Sequence, residues 1–282
     1  MMAPVWGRAA SSGQCTRGGN TMELGLKGKT ALVTGASEGI GSAIARKLAD
    51  EGVRVAICAR TESKLKETAA EIARATGMQI VPIAADLRTL DGCRGFVDQA
   101  AQRLGGVDIL VNNAGASTFG PFVDLPDEAF VDAINGKLLG YIRCAKAAIP
   151  HMRRRGGGAI VNITGTTQQA VPLHTPGSAC NAALRMFSKE LSIELGPLNI
   201  RVNSLAPGRI QTARGDQLLK ATAAAQGATP ADVLDQLVKT IPSGRLGAID
   251  DIGDAVCFLV SERATYVNGA ALVVDGSKSV VI

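Results

Sequence analysis

The sequence predicts a single α/β domain built on a doubly wound parallel sheet. Short runs of Val, Ile, Leu and Ala alternate regularly with longer segments of helical periodicity. These runs are almost continuously apolar, which is typical of strands that a parallel sheet buries on both faces. Right-handed crossovers between such strands place helices on both sides of the sheet, and ligands then bind beyond the carboxyl ends of the strands.

Seven strands and the helices between them can be placed in order from these patterns. The first strand is TALVTG after Lys29, and a glycine-rich turn leads from it into a helix from Ile40 to about Glu51. The other strands are predicted at 53–59, 79–86, 107–115, 159–165, 200–208 and 269–276, and the other helices at 61–76, 89–104, 127–153, 176–195 and 250–261. An alanine-rich pair of helices at 213–243, broken near Gly227 and Pro230, is expected to form a small apolar lid.

Composition argues against several classes of protein. The chain has 282 residues, of which 46% are hydrophobic, 20% charged and 3% aromatic. No run reaches the ~18 apolar residues of a membrane span. The net charge of +5 is scattered and aromatic residues are too few for base stacking, so no nucleic-acid partner is expected. The six cysteines include no CxxC pair, so we expect a cytoplasmic protein with free thiols and no metal site.

Residues 1–22 differ from the rest of the chain. They are rich in Gly, Ser and Arg, carry no acidic residue and lack apolar periodicity. A secretory signal would need an apolar stretch of ~7–15 residues, which this segment does not contain. We expect a disordered extension with Met22 as the functional first residue. Residues 23–282 then form one domain, because no Pro- or Ser-rich linker divides them.

The turn between the first strand and the first helix carries the sequence TGASEGIG at 34–41. Gly35 allows a tight turn, Gly39 lets the backbone approach a pyrophosphate, and Gly41 lets the helix pack against the sheet. The N–H groups at the start of the helix then face the phosphates. The turn therefore predicts a dinucleotide site to which Ser37, Glu38 and Ile40 also contribute.

This sequence resembles the short-chain dehydrogenase/reductase family over about residues 26–276. TGASEGIG matches the family's TGxxxGxG signature, Asn112-Asn113-Ala114-Gly115 its NNAG motif, and the stretch from Pro207 to Thr212 its PGxxxT motif. The resemblance implies a Rossmann-type fold, a nicotinamide cofactor, a small-molecule substrate and assembly into dimers or tetramers. It also implies that the cofactor is contacted by Asp86, Leu87, Asn113, Ala114, Gly115, Asn181, Pro207, Gly208, Ile210 and Thr212.

The end of the second strand distinguishes the two nicotinamide cofactors. NAD-binding members place an Asp there for the ribose 2′-hydroxyl, whereas this chain has Cys58-Ala59-Arg60. Arg60 can pair with a 2′-phosphate, so NADP is predicted rather than NAD. A solvated arginine at a helix start is the alternative interpretation. Glu38 lies in a turn where some NADP-binding relatives carry a basic residue.

The resemblance also shows that the family's usual catalytic side chains are missing. The family uses a Tyr, a Lys four residues later and a Ser about thirteen residues earlier. Here Gly177 stands at the Tyr position, Asn181 at the Lys position, and Gly165 or Thr164 at the Ser position.

Three other residues are candidates for the catalytic site. Asn135 matches the family's active-site asparagine, Thr164 offers a hydroxyl, and His174 is the most suitable replacement acid by its ordinary pKa. Lys137 and Tyr141 are four apart on one helix. At ~100° per residue Lys137 lies roughly 200° from Asn135, so the pair faces away from the nicotinamide if Asn135 faces it.

Two functions follow from these observations. The first is an NADP(H)-binding oxidoreductase that transfers hydride to or from an unidentified hydrophobic carbonyl-type substrate, with a non-standard proton donor. The alternative is a catalytically inactive nucleotide-binding sensor or partner subunit.

Overall fold

A computed structural model describes residues 23–115, 118–165, 171 and 173–279. The extension at 1–22, with Cys15 and Met22, lies outside the described residues. Seven strands run through the described chain: β1 (Thr30–Thr34), β2 (Arg54–Ala59), β3 (Ile80–Ala84), β4 (Ile109–Asn112), β5 (Gly158–Ile163), β6 (Ile200–Pro207) and β7 (Ala271–Val274). The helices are α1 (Gly39–Asp50), α2 (Glu62–Thr76), α3 (Leu90–Leu104), α4 (Asp127–Ala133), α5 (Gly140–Arg154), α6 (Thr175–Leu195), α7 (Ala213–Gln226), α8 (Pro230–Lys239) and α9 (Ile249–Val260).

The strands form one parallel sheet in the order β3-β2-β1-β4-β5-β6-β7. This confirms the predicted doubly wound fold. The strand order reverses between β1 and β4, and open α/β sheets bind ligands in the crevice at that point.

Alternate side chains of each strand enter two separate cores. In β1, Ala31 and Val33 join one core, which contains residues of α1, α2 and α9. Leu32 joins the other core, where Phe96 of α3 and Met152 of α5 are fully buried. Because both faces of the sheet are covered by helices, most strand positions are apolar, which is why the strands could be recognised in the sequence.

The segment predicted as one helix at 127–153 is divided in the structure. Between α4 and α5, residues Ile134–Leu139 form a π-helical turn, which changes the angular spacing of their side chains from that of an α-helix. The local interruption is invisible to an argument that assumes a uniform α-helical period.

The two helices predicted at 213–243 are confirmed as α7 and α8. Gly227 ends α7 in a left-handed conformation (φ 63°), and Thr229 caps α8 with a reciprocal hydrogen-bonded box ahead of Pro230. Only Ala223 of the two helices is buried. The helices α7 and α8 are therefore mostly exposed and lie at the surface of the domain. Among the described helices, none is long and apolar enough to cross a membrane.

Candidate nucleotide and substrate site

A cleft of about 700 Å³ opens at the carboxyl ends of β1, β2 and β4. It brings together most of the residues predicted to hold a dinucleotide. The predicted residues that line it are Gly35, Ser37, Glu38, Gly39, Ile40, Gly41, Arg60, Asp86, Leu87, Asn113, Ala114, Gly115 and Thr212.

The turn after β1 is built against the segment after β4. Thr34 accepts hydrogen bonds through Oγ1 from the backbone N–H groups of Asn113 (2.9 Å) and Ala114 (3.0 Å). The Asn113 side chain donates in return to the carbonyl oxygens of Thr34 (3.1 Å) and Gly35 (3.0 Å). A β-carbon on Gly35 would stand 2.7 Å from Ala114 Cα, and Gly35 also has a φ of +65°. Glycine is therefore required at residue 35 both for its conformation and for the close contact.

The end of the cleft near β2 and β3 carries mixed charge. Glu38 pairs with Lys64 of α2, and the Asp86 carboxylate accepts hydrogen bonds from Arg88 (2.6 and 3.0 Å). Arg88, with a smaller contribution from Arg60, holds the pKa of Asp86 below its ordinary value. Among described residues Arg60 has no hydrogen-bond or ion-pair partner.

Four predicted cofactor residues do not line this cleft. Pro207 and Gly208 lie at the end of β6, where Gly208 packs against Asp275. Ile210 packs beside Gly247, and Asn181 is buried in α6. The structure thus brings together the phosphate and adenine portions of the predicted set but not these four positions.

Lys137 lies against the NNAG segment. A β-carbon on Gly115 would stand 3.0 to 3.1 Å from the β-, γ- and δ-carbons of Lys137. Asn135 is two residues away in the same π-helical turn and is not among the residues that line the cleft. The contact with Gly115 places Lys137 beside the cleft, which the argument that started from Asn135 did not predict. The catalytic role of Asn135 stays a prediction.

The Lys137 ammonium interacts with groups on three other segments: Cys180 of α6, Arg214 of α7, and His174 just before α6. Burial lowers the pKa of Lys137 to about 8, with a smaller lowering from Arg214 and an opposing contribution from Cys180. The thiol pKa of Cys180 is raised by burial, although Lys137 and the Leu138 N–H oppose the increase. At pH 7 the site therefore holds an ammonium beside a neutral thiol.

Tyr141 is separated from the site by burial. Its hydroxyl donates to the Ile163 carbonyl oxygen (3.0 Å) inside the core, and burial raises its pKa well above the ordinary value. Tyr141 is thus a structural residue that fastens α5 to β5, and the Lys137–Tyr141 spacing does not form a catalytic pair.

His174 stacks on Phe119 with ring centroids 4.2 Å apart and an angle of 16° between the planes. Burial, with smaller contributions from Lys137, Arg214 and Arg209, lowers the pKa of His174 to about 4. His174 is therefore neutral near pH 7. The sequence argument for His174 as an acid assumed a pKa near neutrality, and neither its burial nor its three neighbouring cations can be read from the local sequence.

Thr164 is buried where β5 meets β6. Its hydroxyl donates to the Leu205 carbonyl oxygen (3.3 Å), which also accepts from the Thr164 N–H (2.8 Å). The hydroxyl hydrogen is thus used within the fold and is not directed at a substrate. The threonines and glutamines at 166–169, considered as neutral donors, lie outside the described residues.

Comparison with known proteins places this site in a family. The family model described as enoyl-(acyl carrier protein) reductase matches residues 35–277. The chain is 32% identical over 274 residues to dehydrogenase/reductase SDR family member 4 of Rattus norvegicus, covering 96% of this chain and 94% of that protein. It belongs to the short-chain dehydrogenase/reductase family.

Two further relatives of known activity or structure match most of its length. The peroxisomal 2,4-dienoyl-CoA reductase of Rattus norvegicus is 35% identical over 254 residues, covering 89% of this chain and 84% of that protein. The crystal structure of L-sorbose reductase from Gluconobacter frateurii, complexed with NADPH and L-sorbose, superposes with a TM-score of 0.89 at 33% identity. It covers 93% of this chain and 100% of that one.

Three residues that the sequence resemblance predicts at the family's catalytic positions, Gly165, Gly177 and Asn181, lie close together in this short-chain dehydrogenase/reductase. Gly177 and Asn181 lie one turn apart on a buried face of α6, and a β-carbon on Gly165 would stand 2.5 Å from Asn181 Nδ2. Within the described chain, Asn181 Oδ1 is buried without a hydrogen-bond partner. The amide therefore fills part of the space that a serine side chain would take, and it keeps one acceptor available.

Some residues of the cleft were missed by sequence reasoning. Lys64 and Thr68 are four apart on α2. The Thr68 hydroxyl donates to the Ser37 carbonyl oxygen (2.8 Å) and so holds the glycine turn against α2. Arg88 and Arg214 also line the cleft. The spacing of Lys64 and Thr68 on one helical face could have indicated their role, but the charge pairing with Glu38 depends on the fold.

Proposed function

We propose that this protein is an NADP(H)-dependent oxidoreductase that transfers hydride between the nicotinamide ring and a hydrophobic carbonyl-type substrate. The observation that carries the proposal is the cleft at the switch point of the sheet, with its glycine turn held against the NNAG segment. Glycine at Gly35 and Gly41 lets the turn pack tightly against Ala114 and Asn113, which leaves the N–H groups at the start of α1 facing the cleft, where they could hold a phosphate.

The residues of the cleft fit a dinucleotide. The N–H groups at the start of α1 would hold the pyrophosphate, and Asp86 and Leu87 would flank the adenine. Asn181 Oδ1, which is buried and unpartnered within the described chain, would accept a hydrogen bond from a ribose hydroxyl. The nicotinamide would supply the hydride, and the protein orients the substrate and handles the proton.

NADP is favoured over NAD by Arg60. Its guanidinium is exposed at the end of β2 and pairs with no described carboxylate, so it is available to a 2′-phosphate. The related L-sorbose reductase was crystallised with NADPH, which supports the same assignment. Glu38 is neutralised by Lys64, and this pairing reduces the repulsion that a glutamate in the turn would exert on a phosphate.

A hydrophobic substrate is supported by exposed apolar side chains on two segments that meet where the Gly120 N–H donates to the Leu173 carbonyl oxygen. Phe122 and Val123 are 67% and 85% exposed, and Leu173 lies beside His174 with 55% exposure. The small residues of α7 leave room beneath the lid. One relative is named as a 2,4-dienoyl-CoA reductase that produces (3E)-enoyl-CoA, so activated alkenes belong among the test compounds.

The test is NADPH oxidation across a panel of ketones, enones and imines. The matched control is Gly35→Asp, whose side chain would collide with Ala114 and force the glycine turn away from the NNAG segment. We expect at least one panel compound to be reduced by the wild-type protein and not by Gly35→Asp. Equal rates for the two proteins would contradict the proposal.

A second function, a nucleotide-binding sensor or partner subunit without turnover, is favoured by Gly177, Asn181 and Gly165. It predicts NADPH binding with no oxidation by any panel compound. Assembly into a dimer or tetramer is part of either proposal. Met186 and Ile193, seven residues apart on α6, are 63% and 64% exposed and would form an apolar contact between copies. We also propose a cytoplasmic location for this protein.

A further inference from the structure

Reduction of a carbonyl needs a proton as well as a hydride, and the usual donor is missing here. Gly177 and Asn181 cannot supply a proton at the positions where the family has Tyr and Lys. Thr164 uses its hydroxyl hydrogen on Leu205, and His174 is neutral near pH 7. Within the part of the chain that the structure describes, a donor must therefore be sought on a different wall of the site.

Lys137 enters the site from the π-helical turn. Its aliphatic stem runs along Gly115, whose backbone borders the nucleotide cleft. Its ammonium group interacts with Cys180, which lies three residues after Gly177 on α6. Residues three apart share a face of a helix, so the ammonium is directed at the face of α6 from which the tyrosine side chain is missing.

The groups around Lys137 leave its charge uncompensated. Cys180 faces it from α6, Arg214 from α7, and His174 from the residue just before α6. Within the described chain no carboxylate pairs with Lys137. An ammonium held among neutral and cationic groups is stabilised by any negative charge that develops next to it, such as that on the oxygen of a carbonyl under reduction.

We propose that Lys137 is the catalytic proton donor of this protein. The substrate's carbonyl carbon accepts hydride and forms a C–H bond while the π electrons move to the oxygen. That oxygen takes a proton from Lys137 Nζ, so an O–H bond forms as an N–H bond breaks, and the amine then regains a proton from water. The reductant is the NADPH of the proposed function, on which this inference rests.

The kinetic test compares Lys137→Met and Lys137→Arg with Lys146→Met, which removes an exposed lysine from the outer part of α5. The probes are ethyl acetoacetate, 2-octanone and cyclohexenone with saturating NADPH. Loss of a general acid typically lowers kcat by about 10²–10⁴-fold, and we expect this for both Lys137 variants with NADPH affinity and KM changed less than threefold. Arginine keeps the charge but cannot release a proton, so it should not rescue kcat.

The wild-type rate should also fall as pH rises above about 8, because Lys137 then loses its proton. The inference is overturned if Lys137→Met keeps kcat within threefold of wild type, or if Lys137→Arg restores it, since charge alone would then suffice. Failure of NADPH to bind the wild-type protein would instead overturn the proposed function. Equal rates in wild type and Lys137→Met with intact NADPH binding would remove this inference alone.

A second measurement is independent of turnover. Acetic anhydride labelling of the wild-type protein saturated with NADP, followed by peptide mass spectrometry, gives the pH dependence of each lysine amine. We expect Lys137 to react with a midpoint near 8. A midpoint at the ordinary lysine value of about 10.4 would overturn the inference whether or not a probe ketone is reduced.

Discussion

The side-chain amide of Asn181 lies against the α-carbon of Gly165: a β-carbon at residue 165 would stand 2.5 Å from Asn181 Nδ2. Gly165 follows β5, and Asn181 lies on α6. The identities of the two residues are therefore coupled by packing, because the amide leaves no space for a side chain at residue 165.

This contact predicts a non-additive pair of substitutions. Gly165→Ala should lower the free energy of unfolding by about 1–3 kcal/mol through overpacking, and Asn181→Ala in the same chain should recover most of that loss. Gly95→Ala is the control, because a β-carbon there would meet only Gln99 Nε2 at 3.9 Å. Urea unfolding of the single and double variants measures the coupling, and simple additivity would refute it.

Gly35 and Gly77 form a matched pair for testing the nucleotide turn. Both have positive φ, +65° and +70°, but only Gly35 has a close neighbour, Ala114. Gly77→Ala should therefore cause backbone strain alone, whereas Gly35→Ala should also force the turn away from the NNAG segment. We expect NADPH affinity to fall more than tenfold in Gly35→Ala and to stay unchanged in Gly77→Ala, as measured by cofactor fluorescence. Equal effects would remove the role assigned to the contact.

Arg60 and Arg54 stand at opposite ends of β2, and only Arg60 borders the cleft. Hydrogen bonds to charged groups contribute about 1.5–3 kcal/mol, so Arg60→Ala should weaken NADPH binding by about tenfold to a hundredfold. NADH binding should change less than threefold, and Arg54→Ala should affect neither. Loss of both cofactors to the same extent in Arg60→Ala would show that Arg60 does not recognise the 2′-phosphate.

His174 gives a pH dependence whose sign follows from its low pKa. The unfolded chain protonates this imidazole near its ordinary value of 6.5, whereas the folded protein does so only near 4. Between these values the unfolded state binds more protons, so His174 makes the free energy of unfolding fall as pH falls from about 6.5 to 4. His174→Phe keeps the stack on Phe119 and should remove this dependence in urea melts at pH 4.5, 5.5 and 7.

The His174→Phe variant also tests whether the proton delivered to the substrate comes from His174 or from Lys137. With His174 neutral above pH 5, His174→Phe should keep NADPH oxidation within threefold of wild type. A loss of 10²-fold or more would return His174 to the role that the sequence suggested.

The sheet could be predicted almost entirely from the sequence because burial on both faces makes most strand positions apolar. Six of the seven strands fall within the predicted runs, β5 begins one residue before its run, and the cleft contains most of the predicted phosphate and adenine residues. Local patterns carry this information. The glycine turn and NNAG each lie directly after a strand whose position was already known.

The substrate end could not be predicted in the same way. Which side of the helix Lys137 occupies depends on a π-helical turn and on packing against Gly115. The low pKa of His174 comes from burial together with cations at residues 137, 209 and 214, which only the fold assembles. The Thr164 hydroxyl donates to the Leu205 carbonyl oxygen on β6, so its hydrogen is not available to a substrate.

The most direct test of the account is titration of the wild-type protein with NADPH and with NADH, following the fluorescence of each cofactor. The cleft and the unpaired Arg60 predict micromolar binding of NADPH and at least tenfold weaker binding of NADH. Binding of neither cofactor would contradict the central claim, because the glycine turn would then serve only the fold. Tighter binding of NADH would contradict the role given to Arg60.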